Sequence, residues 1–142
     1  MKTVRQLLEE KGNTILSVGP DSLVYDALKI MAEYRVGALL VMRGQALVGI
    51  FSERDYAREV VLKGKTSKTT PVSDIMSHQV ITVSPDQTVD ECMNLMSGKR
   101  IRHLPVIEHG QVVGVLSIGD LVKATIEYQQ FLIQQLESYI QS

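Results

Sequence analysis

The chain has 142 residues, 44% of them hydrophobic, and a formal net charge of −1, which lets it bury roughly 70% of its unfolded surface without disulfides or metal. The balanced charge excludes a general electrostatic reason to expect nucleic acid, a membrane surface or a polyanion as partner. The single Cys92 excludes an internal disulfide and a multi-cysteine zinc site, and no run nears the roughly 18 apolar residues of a membrane span.

In chain order, MKTVRQLLEEKGN is polar and lacks the apolar core of a signal peptide, so the expected compartment is the cytoplasm. Ile15–Val18 reads as an extended start that meets a Pro20-Asp21 turn. Val24, Ala27, Leu28 and Met31 then recur at helical spacing, with Asp21 where an N-cap or first-turn acid belongs. Two short apolar strands follow, Ala38–Met42 and Ala46–Phe51, joined through Arg43-Gly44-Gln45 as a hairpin. A second helix begins after Ser52.

The same order then returns. Val18-x-Pro20-Asp21 matches Val83-x-Pro85-Asp86, an offset of 83 − 18 = 65, and 12 of the 38 positions from 18 to 55 are identical with their partners. Unrelated segments would share about two or three, so the repeat dictates the fold reading. The second copy runs from the extended Val80–Val83 through Asp86 to a helix with Val89, Cys92, Met93 and Met96. Strands Leu104–Ile107 and Val112–Leu116 follow, turning at Glu108-His109-Gly110, and a helix begins after Ser117. Cys92, on the apolar face, reads as core.

The expected architecture is α/β (α+β), two β-α-β-β-α repeats packed about a pseudo-twofold axis plus a C-terminal helix. Its expected divisions are 1–62, a basic solvated linker 63–71 (KGKTSKTTP), 72–123 with a short helical lead-in at Val72–Met76, and 124–142. In the last part Val122, Ile126, Ile133, Leu136 and Ile140 form a seam at spacings of four, seven, three and four. That seam is expected to pack on a second subunit rather than on its own domain.

Both repeats end in Gly, two apolar residues and Ser-x-x-Asp: LVGIFSERD at 47–55 and VVGVLSIGD at 112–120. Ser-x-x-Asp has the spacing of a capping box, which needs no ligand. The same helix start, with free amides and a positive dipole end, also suits a bound polar group. A carboxylate there repels phosphate, yet can accept from both vicinal hydroxyls of a ribose. The residues leave both readings open.

These endings, the duplicated unit and the strands RVGALLV (35–41) and RIRHLPV (100–106) together resemble the cystathionine-β-synthase (CBS) domain pair, or Bateman module, of the stand-alone bacterial type. The resemblance covers about Ile15 to Val122. It implies a regulatory sensor that binds adenine nucleotides or other adenosyl ligands in clefts between the repeats, commonly as a homodimer. On it, Asp120 and Asp55 hold ribose, with Ser117 and Ser52 beside ribose or phosphate. Adenine would lie near Thr14–Leu16 (Ile15) and Gly37–Ala38 for the Asp120 site. For the Asp55 site it would lie near Val80–Thr82 (Ile81, Thr82) and Ile101–His103.

The copies differ where Gly37-Ala38 is replaced by Arg102-His103. The resemblance makes this pair a phosphate contact in the site of Asp120 and Ser117, since Arg can hold phosphate bidentately and His can donate. Unequal sites follow, with AMP preferring Asp120. The Asp55 site is weaker or takes a different adenosyl ligand, NAD(H) included; Arg54 and Arg58 on the following helix are either sources of charge for it or ordinary surface residues.

An enzyme is not expected. There is no Gly-x-Gly-x-x-Gly or Walker loop, no catalytic set is suggested, and His78, His103 and His109 lack metal-ligand spacing. No cofactor is required and no metal is expected. The alternative is a ligand-free dimerisation or protein-interaction module in which the Ser-x-x-Asp boxes are only caps. As a ligand sensor it is expected to pass its output to an effector protein that the sequence does not name, or to act through some complex.

Overall fold

A computed structural model describes residues 1–141. The chain divides into two compact units: Ile15–Ile81, and Met1–Thr14 together with the chain from Thr82 onward. The division drawn from sequence put the first residues with the first repeat and 72–81 with the second; the chain assigns both the other way.

The 15–81 unit contains β1 (Ser17–Val18), α2 (Val24–Tyr34), β2 (Ala38–Arg43), β3 (Ala46–Ser52) and α3 (Glu53–Tyr56), which widens into a π-turn at Ala57–Val61. β1 pairs parallel with β2, and β2 antiparallel with β3. One face of α2 (Val24, Ala27, Met31) packs with Leu39, Val41, Phe51, Val60, Val72 and Ile75 in a closed apolar core. The other unit contains α1 (Val4–Lys11), α4 (Val89–Lys99), β4 (His103–Glu108), β5 (Gln111–Ser117) and α5 (Ile118–Gln141). Cys92 is fully buried on α4, and burial pushes its thiol up to about 11. His109 and Gly110 both take positive φ, 52° and 76°, in the β4–β5 turn, the signature of a tight hairpin.

The two copies are not equally regular. Leu40 N–H donates to Leu16 O in the first. The position paired with Leu40 is Pro105, which has no N–H to give. The expected strand Val80–Val83 therefore shrinks to a single parallel bridge of Val83 with Val106.

The capping acids also move. The residue before α2 is Leu23, which has no side-chain oxygen to offer, while Thr88 caps α4 in a reciprocal box with Glu91. Asp21 and Asp86 lie two residues earlier, in the turns. The expected solvated linker supplies what Leu23 lacks. Thr70 O and Ser67 O accept from Val24 N–H and Tyr25 N–H, both at 2.9 Å, and Thr70 is itself buried.

Each unit is completed by a lead-in outside its repeated elements, a 3-10 turn at Val72–Asp74 in one and α1 in the other. Val72 N–H donates to Ser22 O and Ser73 N–H to Pro20 O. Val4 N–H donates to Gln87 O and Arg5 N–H to Pro85 O. The acceptors are 65 apart and the donors 72 − 4 = 68 apart, so the lead-in is a second repeat in its own register.

The lead-ins explain the repeated glycines. A Cβ at Gly49 would fall 2.5 Å from Met76 Sδ and 3.0 Å from Ser77 O; one at Gly114 would fall 2.7 Å from Leu8 Cδ2. Overpacking of this kind costs roughly 1–3 kcal/mol. Backbone yields less readily than a leucine tip. Gly49→Ala is therefore expected to lower stability by about 3 kcal/mol and Gly114→Ala by about 1 kcal/mol, as read from urea midpoints.

Candidate functional site

Both Ser-x-x-Asp segments form reciprocal boxes. At the end of β3, Ser52 N–H donates to Asp55 Oδ2 at 2.9 Å and Ser52 Oγ to the same oxygen at 3.0 Å, while Asp55 N–H donates to Ser52 Oγ at 3.2 Å. At the end of β5, Ser117 N–H donates to Asp120 Oδ2 at 2.8 Å, and Asp120 N–H to Ser117 Oγ at 3.2 Å. The capping reading is thus realised, and each carboxylate is held at a defined place beside a strand end.

The strand ladders bring further expected residues to each pair. Ala38 stands opposite Ser52 and His103 opposite Ser117. Gly37 O accepts from Glu53 N–H at 3.1 Å and Arg102 O from Ile118 N–H at 2.8 Å. Asp55, Ser52, Gly37 and Ala38 therefore gather in one unit, and Asp120, Ser117, Arg102 and His103 in the other. The Arg102 side chain is exposed; His103 is half-buried. Gly37 also lines a shallow hollow with Leu28, Met31, Arg35 and Glu53. Ile15 and Ile81, both half-buried, belong to the 15–81 unit. Exposed Thr82 and half-buried Ile101 belong to the other. Arg54 lies exposed on α3.

Two residues that the sequence reading passed over touch the carboxylates. Lys11 Nζ lies 2.9 Å from Asp120 Oδ2 and donates to Val115 O at 2.7 Å. Ser77 Oγ donates to Asp55 Oδ1 at 3.4 Å, and Ser77 N–H to Ile50 O at 2.9 Å. Ile50 and Val115 are repeat partners, so Lys11 and Ser77 serve equivalent acceptors. Val-x-x-Leu-Leu at 4–8 matches Val-x-x-Ile-Met at 72–76, but that register pairs Ser77 with Glu9 and Lys11 with Gln79, so it points to the two lead-ins and not to Lys11 itself.

Burial pushes the Asp120 carboxyl up, but the Ser117 amide, the Lys11 ammonium and the Ser117 hydroxyl together prevail and hold it below the ordinary aspartate value. Among the described residues no three His, Cys, Asp or Glu are grouped to hold a metal ion. None of the described helices is long and apolar enough to cross a membrane.

A family model, the CBS domain, matches residues 12–62 and 72–127. The chain belongs to the CBS-domain family. A CBS pair is a regulatory module, and the two boxes close its two repeats. The mitochondrial CBS domain-containing protein CBSX3 of Arabidopsis thaliana is 41% identical over 148 residues, spanning 98% of this chain and 72% of that protein. A protein with CBS domains from Burkholderia ambifaria MC40-6 superposes with a TM-score of 0.86 at 50% identity, covering 89% of this chain and 95% of that one. The CBS domain pair of protein MJ0100, solved with 5′-methylthioadenosine and S-adenosyl-L-methionine, has a TM-score of 0.77 at 24% identity, covering 90% of this chain and 98% of that one. The last likeness is one of fold.

A depressed folded-state carboxyl contributes stability that is present above the unfolded value near pH 4 and lost as pH falls through the folded value. Lys11→Met removes part of that depression. The difference between urea midpoints at pH 7 and pH 3 is expected to be smaller in Lys11→Met than in the parent chain.

Proposed function

We propose that this CBS pair is a sensor of adenine nucleotides or related adenosyl ligands, with Asp120 and Asp55 as the ribose-holding carboxylates. The observation that carries the reading is the position of those carboxylates. Each is fixed by its serine at a helix start and flanked by the first residue of the neighbouring strand, Ala38 or His103. A capping role alone asks nothing of that strand. The adenosyl ligands of the MJ0100 pair support the ligand class.

The two sites are proposed to be unequal. Arg102 and His103 favour a nucleoside monophosphate such as AMP at Asp120, whereas Gly37 and Ala38 leave the Asp55 site room for a bulkier ligand such as NAD(H). The bound nucleotide is a regulatory ligand and not a cofactor of catalysis, and no nucleic-acid or membrane role is assigned. CBSX3 carries a mitochondrial name; for this chain the proposed compartment is the cytoplasm. Binding would act on an effector protein by shifting populations, in proportion to the ligand's differential affinity for the two states.

A second reading has its own observation. Ile126, Phe131, Ile133, Leu136, Tyr139 and Ile140 on α5 are all exposed, Ile140 by 79%. This stripe suits a homodimer contact, and it would serve a ligand-free interaction module equally well.

Thermal unfolding against AMP, ADP, ATP, NAD+, NADH and S-adenosylmethionine separates the two. A ligand at 100 times its Kd adds about 2.7 kcal/mol, or roughly 5–10 °C in Tm at this size. The expected result is a shift with AMP that Asp120→Ala abolishes and Asp55→Ala does not. If no ligand moves the midpoint of nucleotide-stripped protein, and Asp120→Ala costs only about 1 kcal/mol as a lost cap does, the interaction module is the right reading.

A further inference from the structure

The two carboxylates have the same scaffold and different neighbours. Ile50 O takes its bond from the Ser77 amide, and Asp55 takes one from the Ser77 hydroxyl. Val115 O and Asp120, the repeat partners of that pair, are both served by the single ammonium of Lys11. The residue that bonds both the strand carbonyl and the carboxylate is therefore neutral in one repeat and cationic in the other, with Ser77 at Asp55 Oδ1 and Lys11 at Asp120 Oδ2. This is the largest chemical difference that touches the carboxylates directly.

We propose that Lys11 and Ser77 act together with Arg102-His103 and Gly37-Ala38 to set the charge preference of the two sites, so that the Asp120 site selects adenosyl ligands bearing an anionic group and the Asp55 site does not. The proposal rests on the reading of Asp120 and Asp55 as ribose holders. An unneutralised carboxylate repels a phosphate carried on the ribose it holds, and the repulsion is strong in a partly desolvated site. An ammonium 2.9 Å from Asp120 cancels that repulsion. The lysine stem is flexible and its head is a compact point charge, so it can serve carboxylate and phosphate oxygens together. A serine hydroxyl can make a hydrogen bond but cancels no charge. Both residues are exposed, so exchanging them leaves the cores intact.

The test is a reciprocal exchange read by calorimetric titration with AMP and with adenosine, which share ribose and base and differ in the phosphate. In an Asp55→Ala background, where only the Asp120 site reports, Lys11→Ser is expected to weaken AMP about tenfold while adenosine stays within about twofold. In an Asp120→Ala background, Ser77→Lys is expected to strengthen AMP by a similar factor without strengthening adenosine. Unchanged binding, or parallel changes for both ligands, overturns the proposal, because a merely structural role moves both alike. If neither ligand binds in either background, the ribose reading itself fails, and this proposal falls with it. Thermal midpoints of all variants, taken alongside, show that each is folded.

Discussion

The approach of a lead-in segment to a strand glycine is the constraint on which the surroundings of each Ser-x-x-Asp box depend. Gly49 and Gly114 carry no side chain, so Met76 and Leu8 settle directly against the strand backbone. That seating brings Ser77 and Lys11 to the carbonyls of Ile50 and Val115, two residues before the strand ends, within reach of Asp55 and Asp120. The strand end in turn starts the helix, and the helix start holds the carboxylate. Backbone packing, capping and site chemistry are thus one connected arrangement, made twice.

Much of this was legible in the letters because the repeat at offset 65 aligns residues with the same physical task. Helical spacing located α2 and α4, alternation and turn residues located both hairpins, and Ser-x-x-Asp located both boxes. What escaped has physical reasons. Pairing needs donors, and Pro105 removes one, so an extended stretch that looks like its twin is not a strand. A helix start needs its first amides satisfied, and where Leu23 cannot do it the linker must, so a basic and polar segment is partly buried. Val72–Met76 is legible as a lead-in, but sequence order assigns it to the second repeat, and its likeness to α1 is missed because their offset is 68, which a search at a single register passes over.

Lys11 is hidden in either register, because it aligns with Met76 at an offset of 65 and with Gln79 at 68. Nothing in KGN at 11–13 resembles a binding motif, and Lys11 reaches Asp120 only because α1 ends beside β5. Local pattern shows which residues share an element. It does not show which distant residue the fold delivers to a side chain. The asymmetry expected from Arg102-His103 against Gly37-Ala38 is joined by a second one, of charge, which no comparison of the aligned copies contains.

One unit is continuous in sequence and the other is not. Residues 15–81 contain their own lead-in, whereas α1 must wait for Pro85, Gln87 and β5 before Val4, Arg5 and Leu8 find their partners. During synthesis from the N-terminus, at roughly 5–20 residues per second, the continuous unit can form as soon as it has emerged. The N-terminal helix meanwhile stays unsheltered for the time it takes to make the second half. Closing that long loop costs little more entropy than closing a short one, so the burden is on timing rather than on final stability. α1 thus precedes in synthesis the segments that bury it, and it carries the Lys11 ammonium that pairs with Asp120.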